Sequence, residues 1–192
     1  PYPVGSGPTF VISADLNKDG KADLAVANGN DGDIGILLGE GGGVFDIMKT
    51  YYVGAFPTSM VAVDLNNDTF LDLVVCASDS TVNVLKGSGD GSFDLTAYYS
   101  TSSNPVTITS GDFNKDGKVD VAVGYMGNAM EIYLGNGNGD LEGQSSTGTE
   151  NYPCYMISAD VNHDNNTDLV VGICFNSLIN VYLGKGDGTF GD

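Results

Sequence analysis

An all-β array of four repeated sheets is the fold class the sequence predicts, and three observations carry it. An acidic stretch, Asp-x-Asn-x-Asp closed by a further Asp, begins at Asp15, Asp64, Asp112 and Asp160, in steps of 49, 48 and 48 residues. Each copy is flanked by short runs of Val, Ile, Leu and Tyr bounded by Gly, Asn and Asp, which is strand composition. No window has the periodicity of an amphipathic helix. Four short antiparallel strands per unit of about 40–50 residues mark a β-propeller blade. The 192 residues therefore read as one repeat domain, with units at about 1–53, 54–101, 102–150 and 151–192.

Each unit is read in the same order. An apolar strand comes first, "TFVISA", "TSMVAV", "VTITSG" or "YMISA", followed by the acidic loop. The second strand is "DLAVAN", "DLVVCA", "DVAVGY" or "DLVVGI", and the third "IGILLG", "VNVLKG", "MEIYLG" or "INVYLG". Their near-continuous apolar character predicts inner strands buried on both faces. A glycine turn such as "GSGDGSF" then leads into a more polar fourth strand, whose Lys49, Thr50 and Thr96 suit an outer edge. The turns lack the helix and the Lys-Ser/Thr that follow a phosphate-binding loop.

The fourth unit stops at "GKGDGTFGD", with only the start of its outer strand. The opening "PYPVGSGP" resembles the end of such a strand, "YYVGAFP". One outer strand is thus expected to be split, and three arrangements would complete it: a closed ring, a neighbouring molecule, or further repeats of a longer propeller. Pro1 reads as a cleaved or excised end, with no signal peptide before it.

Seven Lys, no Arg and 25 Asp plus Glu give a formal charge of −18. Such a surface excludes binding nucleic acid, which needs basic side chains, and docking on anionic lipid. No apolar run approaches the roughly 20 residues of a membrane-spanning helix. Disorder, the usual fate of acidic chains, is excluded by the 41% hydrophobic content and its regular spacing. Twelve of the 25 acids lie in the four loops, so the charge is concentrated there.

Carboxylates held that close repel unless protonated or neutralised. Calcium, which takes 6–8 oxygens at about 2.3–2.6 Å, resolves the conflict better than zinc, with its preference for His and Cys, or magnesium, which retains waters. The first loop offers the side chains of Asp15, Asn17, Asp19 and Asp23 and the carbonyl of Lys21. The others offer Asp64, Asn66, Asp68, Asp72 and the Phe70 carbonyl; Asp112, Asn114, Asp116, Asp120 and the Lys118 carbonyl; and Asp160, Asn162, Asp164, Asp168 and the Asn166 carbonyl. Up to four Ca²⁺ ions are expected. An EF-hand is excluded, because its twelfth position is acidic and its flanks are helices, whereas here Val26, Val75, Val123 and Val171 stand there between strands. The sharp turn wants glycine at loop position six. Gly20 and Gly117 meet this, Asn165 is a fair substitute, and β-branched Thr69 makes the second loop the weakest.

Cys154 and Cys174 sit six residues before Asp160 and six after Asp168. A hairpin around that loop would set them opposite each other, within disulfide reach. Cys76 has no partner and reads as a small core residue. Asn67 and Asn165 head glycosylation sequons inside the loops. His163, the single histidine, falls at a non-ligand position, and no catalytic constellation is present. The pairs Tyr51-Tyr52 and Tyr98-Tyr99 could offer aromatic faces to a sugar, although one Tyr of each is expected to pack between blades.

The loops Asp15–Asp23 and Asp112–Asp120, their variants at Asp64–Asp72 and Asp160–Asp168, and the turns "LLGEGGGVF" and "YLGKGDGTF" resemble the FG-GAP/VCBS repeats, which build integrin-α-like β-propellers. The resemblance covers essentially the whole chain. It implies calcium in the inter-strand loops, an extracellular or cell-surface setting, and adhesion or ligand binding, with a protein or glycan as partner. Family propellers commonly have about seven blades, so four units depart from the pattern and imply an excerpt, or an open or assembling part, of a longer propeller rather than a lone closed ring. The sequence thus points to a non-enzymatic, calcium-stabilised scaffold that could assemble end to end, and as an alternative to a glycan-binding lectin.

Overall fold

In a computed structural model the chain forms strands throughout, and the structure describes residues 1–46, 49–127, 129–148 and 152–191. The strands are β1 (Pro8–Ala14), β2 (Asp23–Asn28), β3 (Asp33–Leu37), β4 (Gly39–Gly41), β5 (Val44–Phe45), β6 (Lys49–Tyr52), β7 (Pro57–Val63), β8 (Asp72–Ala77) and β9 (Thr81–Gly87). They continue as β10 (Phe93–Ser100), β11 (Pro105–Gly111), β12 (Asp120–Tyr125), β13 (Ala129–Gly135), β14 (Leu141–Gly148), β15 (Pro153–Ala159), β16 (Asp168–Ile173), β17 (Leu178–Gly184) and β18 (Phe190–Gly191).

Four antiparallel meanders result: β1-β2-β3-β6, β7-β8-β9-β10, β11-β12-β13-β14 and β15-β16-β17-β18. In the first sheet the third and fourth strands are broken, so β4 and β5 form a separate small hairpin. Gly41, Gly42 and Gly43 all have positive φ at that tip, a run that only glycine adopts readily.

The core lies between sheets. Three apolar clusters join the first sheet to the second, the second to the third and the third to the fourth. Ile34 and Ile36 of one sheet meet Leu73, Val75 and Phe93 of the next. Such stacking makes each unit depend on its neighbours, as in other repeat proteins. The second strands β2, β8 and β12 are buried or half-buried along their whole length, as the continuous apolar runs predict. The first strands differ from that expectation. β1 has only exposed and half-buried positions, and β15 buries Pro153 and Met156 alone, because both belong to the end sheets and have a neighbour on one side only.

The first strands β1, β7, β11 and β15 line one side of the array and enclose a small cavity of about 150 Å³. Each carries a bulge, at Thr9, Thr58, Val106 and Cys154. Thr9 Oγ1 donates to the Pro57 carbonyl at 2.6 Å and Thr58 Oγ1 to the Pro105 carbonyl at 3.0 Å, tying successive sheets together. The array is open: the first and last sheets do not close on one another.

The fourth bulge alters the geometry expected for the cysteines. Pro153 faces Ile173 and Tyr155 faces Gly172, so Cys154 sits in the bulge rather than directly opposite Cys174. The two are nonetheless joined as a disulfide, with Cα atoms 5.6 Å apart. Cys76 is a buried free thiol.

Candidate metal centres in the four acidic loops

Each acidic loop bridges the first and second strands of its sheet, and all four are built alike. Two left-handed residues curl the backbone. At position four they are Lys18, Asn67, Lys115 and His163, with φ of 60°, 59°, 60° and 63°. At position six they are Gly20, Thr69, Gly117 and Asn165, with φ of 80°, 73°, 81° and 64°. A β-branched residue is strained in this region, so Thr69 is the misfit among the four. The left-handed position four went unnoticed in the sequence because no glycine marks it.

The curl points the side chains at positions one, three and five inward. Asp15 Oδ1 and Asn17 Oδ1 both accept the Asp19 amide, at 3.1 and 3.0 Å, so two hard oxygens converge on one point. The same pair of bonds recurs at Asp68 (3.2 and 2.9 Å), Asp116 (3.1 and 3.0 Å) and Asp164 (3.2 and 2.9 Å). The other oxygen of the first Asp accepts the position-six amide at 2.8–3.0 Å in every loop. Asp19, Asp68, Asp116 and Asp164 accept the amide two residues on, at 2.7–2.9 Å.

These bonds keep charge in the loop. The Lys21 amide, ahead of the nearby Lys21 ammonium, holds the Asp19 carboxyl below its ordinary range, and Lys118 does the same for Asp116. The Asn166 amide lowers Asp164. Single lysines lie beside three of the carboxylates: Lys21 on Asp19 at 3.1 Å, Lys118 on Asp116 at 3.2 Å and Lys86 on Asp68 at 3.4 Å. One ammonium offsets only part of the three carboxylates in a loop.

The Asp at position nine has a second role that the spacing did not disclose. Asp23, Asp72, Asp120 and Asp168 are buried. Asp120 accepts the Phe113 amide and the Gly135 amide, both at 2.9 Å. Asp23 binds Leu16 and Gly39, Asp72 binds Leu65 and Gly87, and Asp168 binds Val161 and Gly184, all at 2.7–3.0 Å. The carboxylate thus pins the loop to the end of the third strand. Those glycines are required by space: a Cβ on Gly39, Gly87, Gly135 or Gly184 would strike the backbone oxygen of Ala22, Leu71, Val119 or Thr167. The glycine that ends each third-strand run was therefore a signal for this pin. Burial pushes the Asp72 and Asp120 carboxyls up; the two amides pull them down, and the carboxylates at positions five and one push them up again.

All twenty expected donor residues therefore fall in these loops, five to a loop. Among the described residues, no three His, Cys, Asp or Glu side chains are gathered into a ready metal group. The loop oxygens are engaged by the loop's own amides instead. Each carboxylate oxygen has a second lone pair, and the donor set of carboxylates, one amide and a carbonyl suits a hard cation. The sequon residues Asn67 and Asn165 are exposed at the loop tips.

The fold and loops define an open, propeller-like array of four-stranded sheets, each carrying one acidic hairpin loop. The FG-GAP-like repeat profile matches three overlapping segments, residues 15–75, 64–123 and 112–171, and the chain belongs to that family. Solved structures give the same architecture. The chain is similar to BBS1N, solved in complex with ARL6DN, at 20% identity and a TM-score of 0.64 over 92% of this chain and 52% of that one. It is also similar to an Agrocybe aegerita lectin that recognises non-reducing terminal N-acetylglucosamine, at 20% identity and a TM-score of 0.64, over 96% of this chain and 51% of the lectin. The chain thus spans about half the length of these structures. No curated protein sequence matches it.

Proposed function

We propose that the protein is a calcium-stabilised scaffold working outside the cell, in adhesion or structural assembly, without enzymatic activity. The observation that carries this reading is the fourfold identity of the acidic loops. Twelve carboxylates are concentrated where they cross-brace strands, and neutralising them with a hard cation adds binding energy to the folded state alone. Asp15, Asn17, Asp19 and Asp23 with the Lys21 carbonyl, and their counterparts in the other units, would hold the ions. An oxidising location is supported by the Cys154–Cys174 disulfide. Sequon asparagines standing exposed at loop tips agree with secretion.

The test is a pair of melting curves. At 100 times its dissociation constant each bound ion adds about 2.7 kcal/mol. Calcium is expected to raise the melting temperature by more than ten degrees over the chelated protein, and an unchanged curve would refute the reading.

Glycan binding is the second reading. Each tyrosine pair divides its labour: Tyr51 packs edge-on against Phe93, and Tyr99 packs at a tilt against Tyr133. Tyr52 and Tyr98 are left 70% exposed, with faces suited to stacking on sugar rings. Binding on a glycan array that is lost with Tyr52→Ala and Tyr98→Ala would favour a lectin over a scaffold.

A further inference from the structure

The glycine turns that join the third and fourth strands of the last three sheets differ at their tips. Asp90 and Asp187 hold the tip in the second and fourth units, and Asn138 holds it in the third. Each aspartate caps its own turn. Asp90 Oδ1 accepts the Ser92 amide at 2.9 Å. Asp187 Oδ1 accepts the Thr189 amide at 3.0 Å and the Thr189 hydroxyl at 2.6 Å. In the third unit Asn136 takes over that work. Its Oδ1 accepts the Asn138 amide at 2.8 Å and the Asp140 amide at 3.3 Å, and its Nδ2 donates to Glu142 Oε1 at 3.1 Å.

The next residue differs as well. The Gly188 amide donates to the Phe113 carbonyl of the third acidic loop at 3.0 Å. Among the described residues, neither the Gly139 amide nor the Asn138 side chain has a hydrogen-bond partner. Asn138 is exposed, and Gly139 has no Cβ to shield its nitrogen. An asparagine carboxamide is an electrophile that the following main-chain nitrogen can attack, and asparagine is for this reason a thermolabile residue. The sequence holds three Asn-Gly steps, at Asn28, Asn136 and Asn138. Two are restrained. Asn28 is 0% exposed, its Nδ2 donates to Asp33 Oδ1 at 2.7 Å, and the Gly29 amide donates to the Gly7 carbonyl at 2.8 Å. Asn136 is tied through both ends of its carboxamide. Asn138 alone brings an unbonded carboxamide and an unbonded nitrogen together in an exposed turn.

We propose that Asn138 is a self-modification site, converted in the folded protein to aspartate and isoaspartate. The Gly139 nitrogen loses its proton and bonds to Asn138 Cγ. The Cγ–Nδ2 bond breaks, ammonia leaves carrying that proton, and a five-membered imide remains. Water, the one co-reactant, then opens the imide. Cleavage at Cγ restores the main chain and leaves aspartate, whereas cleavage at the main-chain carbonyl routes the chain through the side chain and leaves isoaspartate.

The two products alter the same place differently. Aspartate supplies the tip carboxylate that Asp90 and Asp187 already provide, and it offers the Asp140 amide a charged acceptor. Isoaspartate adds a methylene to the main chain beside Gly139. That glycine rests on the second acidic loop: a Cβ on it would lie 3.5 Å from Asn66 Cβ, and one on Gly137 would lie 3.4 Å from Asn67 Nδ2. Modification therefore changes the neighbour of that loop. The chemistry needs no metal, so it stands or falls apart from the calcium reading.

Peptide mapping of stored protein is the test. The native chain is held at mildly alkaline pH, digested, and sequenced by mass spectrometry with electron-transfer fragmentation, which tells isoaspartate from aspartate. The amide-to-acid mass shift is expected at Asn138 in both linkages, while Asn28 and Asn136 stay unchanged over the same time. Its rate should rise with pH, because the attacking nitrogen must lose a proton. In denaturant all three steps should convert, so the selectivity is lost with the fold. Asn138→Gln, whose longer side chain cannot close the five-membered ring, should lose the shift in this turn. Conversion of Asn28 or Asn136 ahead of Asn138 in the native chain would overturn the proposal. So would a native chain in which Asn138 stays intact under conditions where the unfolded chain reacts.

Discussion

Replacing Asp120 by alanine separates the two roles a carboxylate can play in these loops. Asp120 is 0% exposed and accepts the Phe113 and Gly135 amides, each at 2.9 Å. Alanine leaves both N–H groups buried without an acceptor, at about 1–3 kcal/mol each, or about 2–6 kcal/mol together. For a chain of this size each kcal/mol lowers the melting temperature by about 2–4 °C, so the drop is on the order of 10 °C. Asp112 also accepts two amides, those of Asp116 and Gly117, at 3.1 and 3.0 Å. They lie in an exposed loop where water replaces the lost acceptor, so Asp112→Ala costs less than about 1 kcal/mol without metal. Melting both variants in chelator and again in calcium reads the difference. Asp120→Ala should be strongly destabilised in both conditions, whereas Asp112→Ala should melt like the parent in chelator and lose part of the gain from calcium. Equal destabilisation of the two in chelator would refute the pin at position nine.

Other outcomes follow from single positions. Thr69 is held at φ 73°, which costs a β-branched residue about 1–2 kcal/mol. Thr69→Gly relieves this strain but loses an exposed hydrogen bond from Lys18 and adds unfolded-state entropy, so a rise of only one to a few degrees, about 0.5 kcal/mol, is expected. Gly117→Thr is expected to lower the melting temperature instead; two shifts of the same sign would contradict the strain argument. Burial pushes the Cys76 thiol well above its ordinary range. A thiol reagent should therefore titrate no group in the native, unreduced protein and one after denaturation, whereas three would mean that Cys154 and Cys174 are not joined.

Much of the fold was legible because the repeat multiplied a weak signal. A lone Asp-rich turn between two apolar runs could be any hairpin, but four in register carried the four-stranded antiparallel sheets and the all-β class. The positions buried between sheets followed from the same alignment. What escaped was encoded in backbone geometry. Lys18 and His163 adopt left-handed conformations with nothing in their side chains to announce it. The bulges fall on two threonines, a valine and a cysteine, Thr9, Thr58, Val106 and Cys154; each follows a proline, a mark that went unread, and the fourth displaced the cysteine pairing by one position. The acidic loops were legible as a set, yet the amide-binding role of Asp23, Asp72, Asp120 and Asp168 was not, because an amide acceptor and an expected cation ligand call for the same side chain. The exposed Ile179 and Val161 could not be told from their buried counterparts by sequence, since the repeat spells all of them as core.

The central claim is that the four acidic loops are calcium sites, and calorimetric titration of the chelator-stripped protein with calcium tests it most directly. Binding should approach four ions per chain, with the Asp64–Asp72 loop filling last. Changing Asp112 to alanine should remove one ion from that count. A flat titration, or a stoichiometry untouched by Asp112→Ala, would contradict the account.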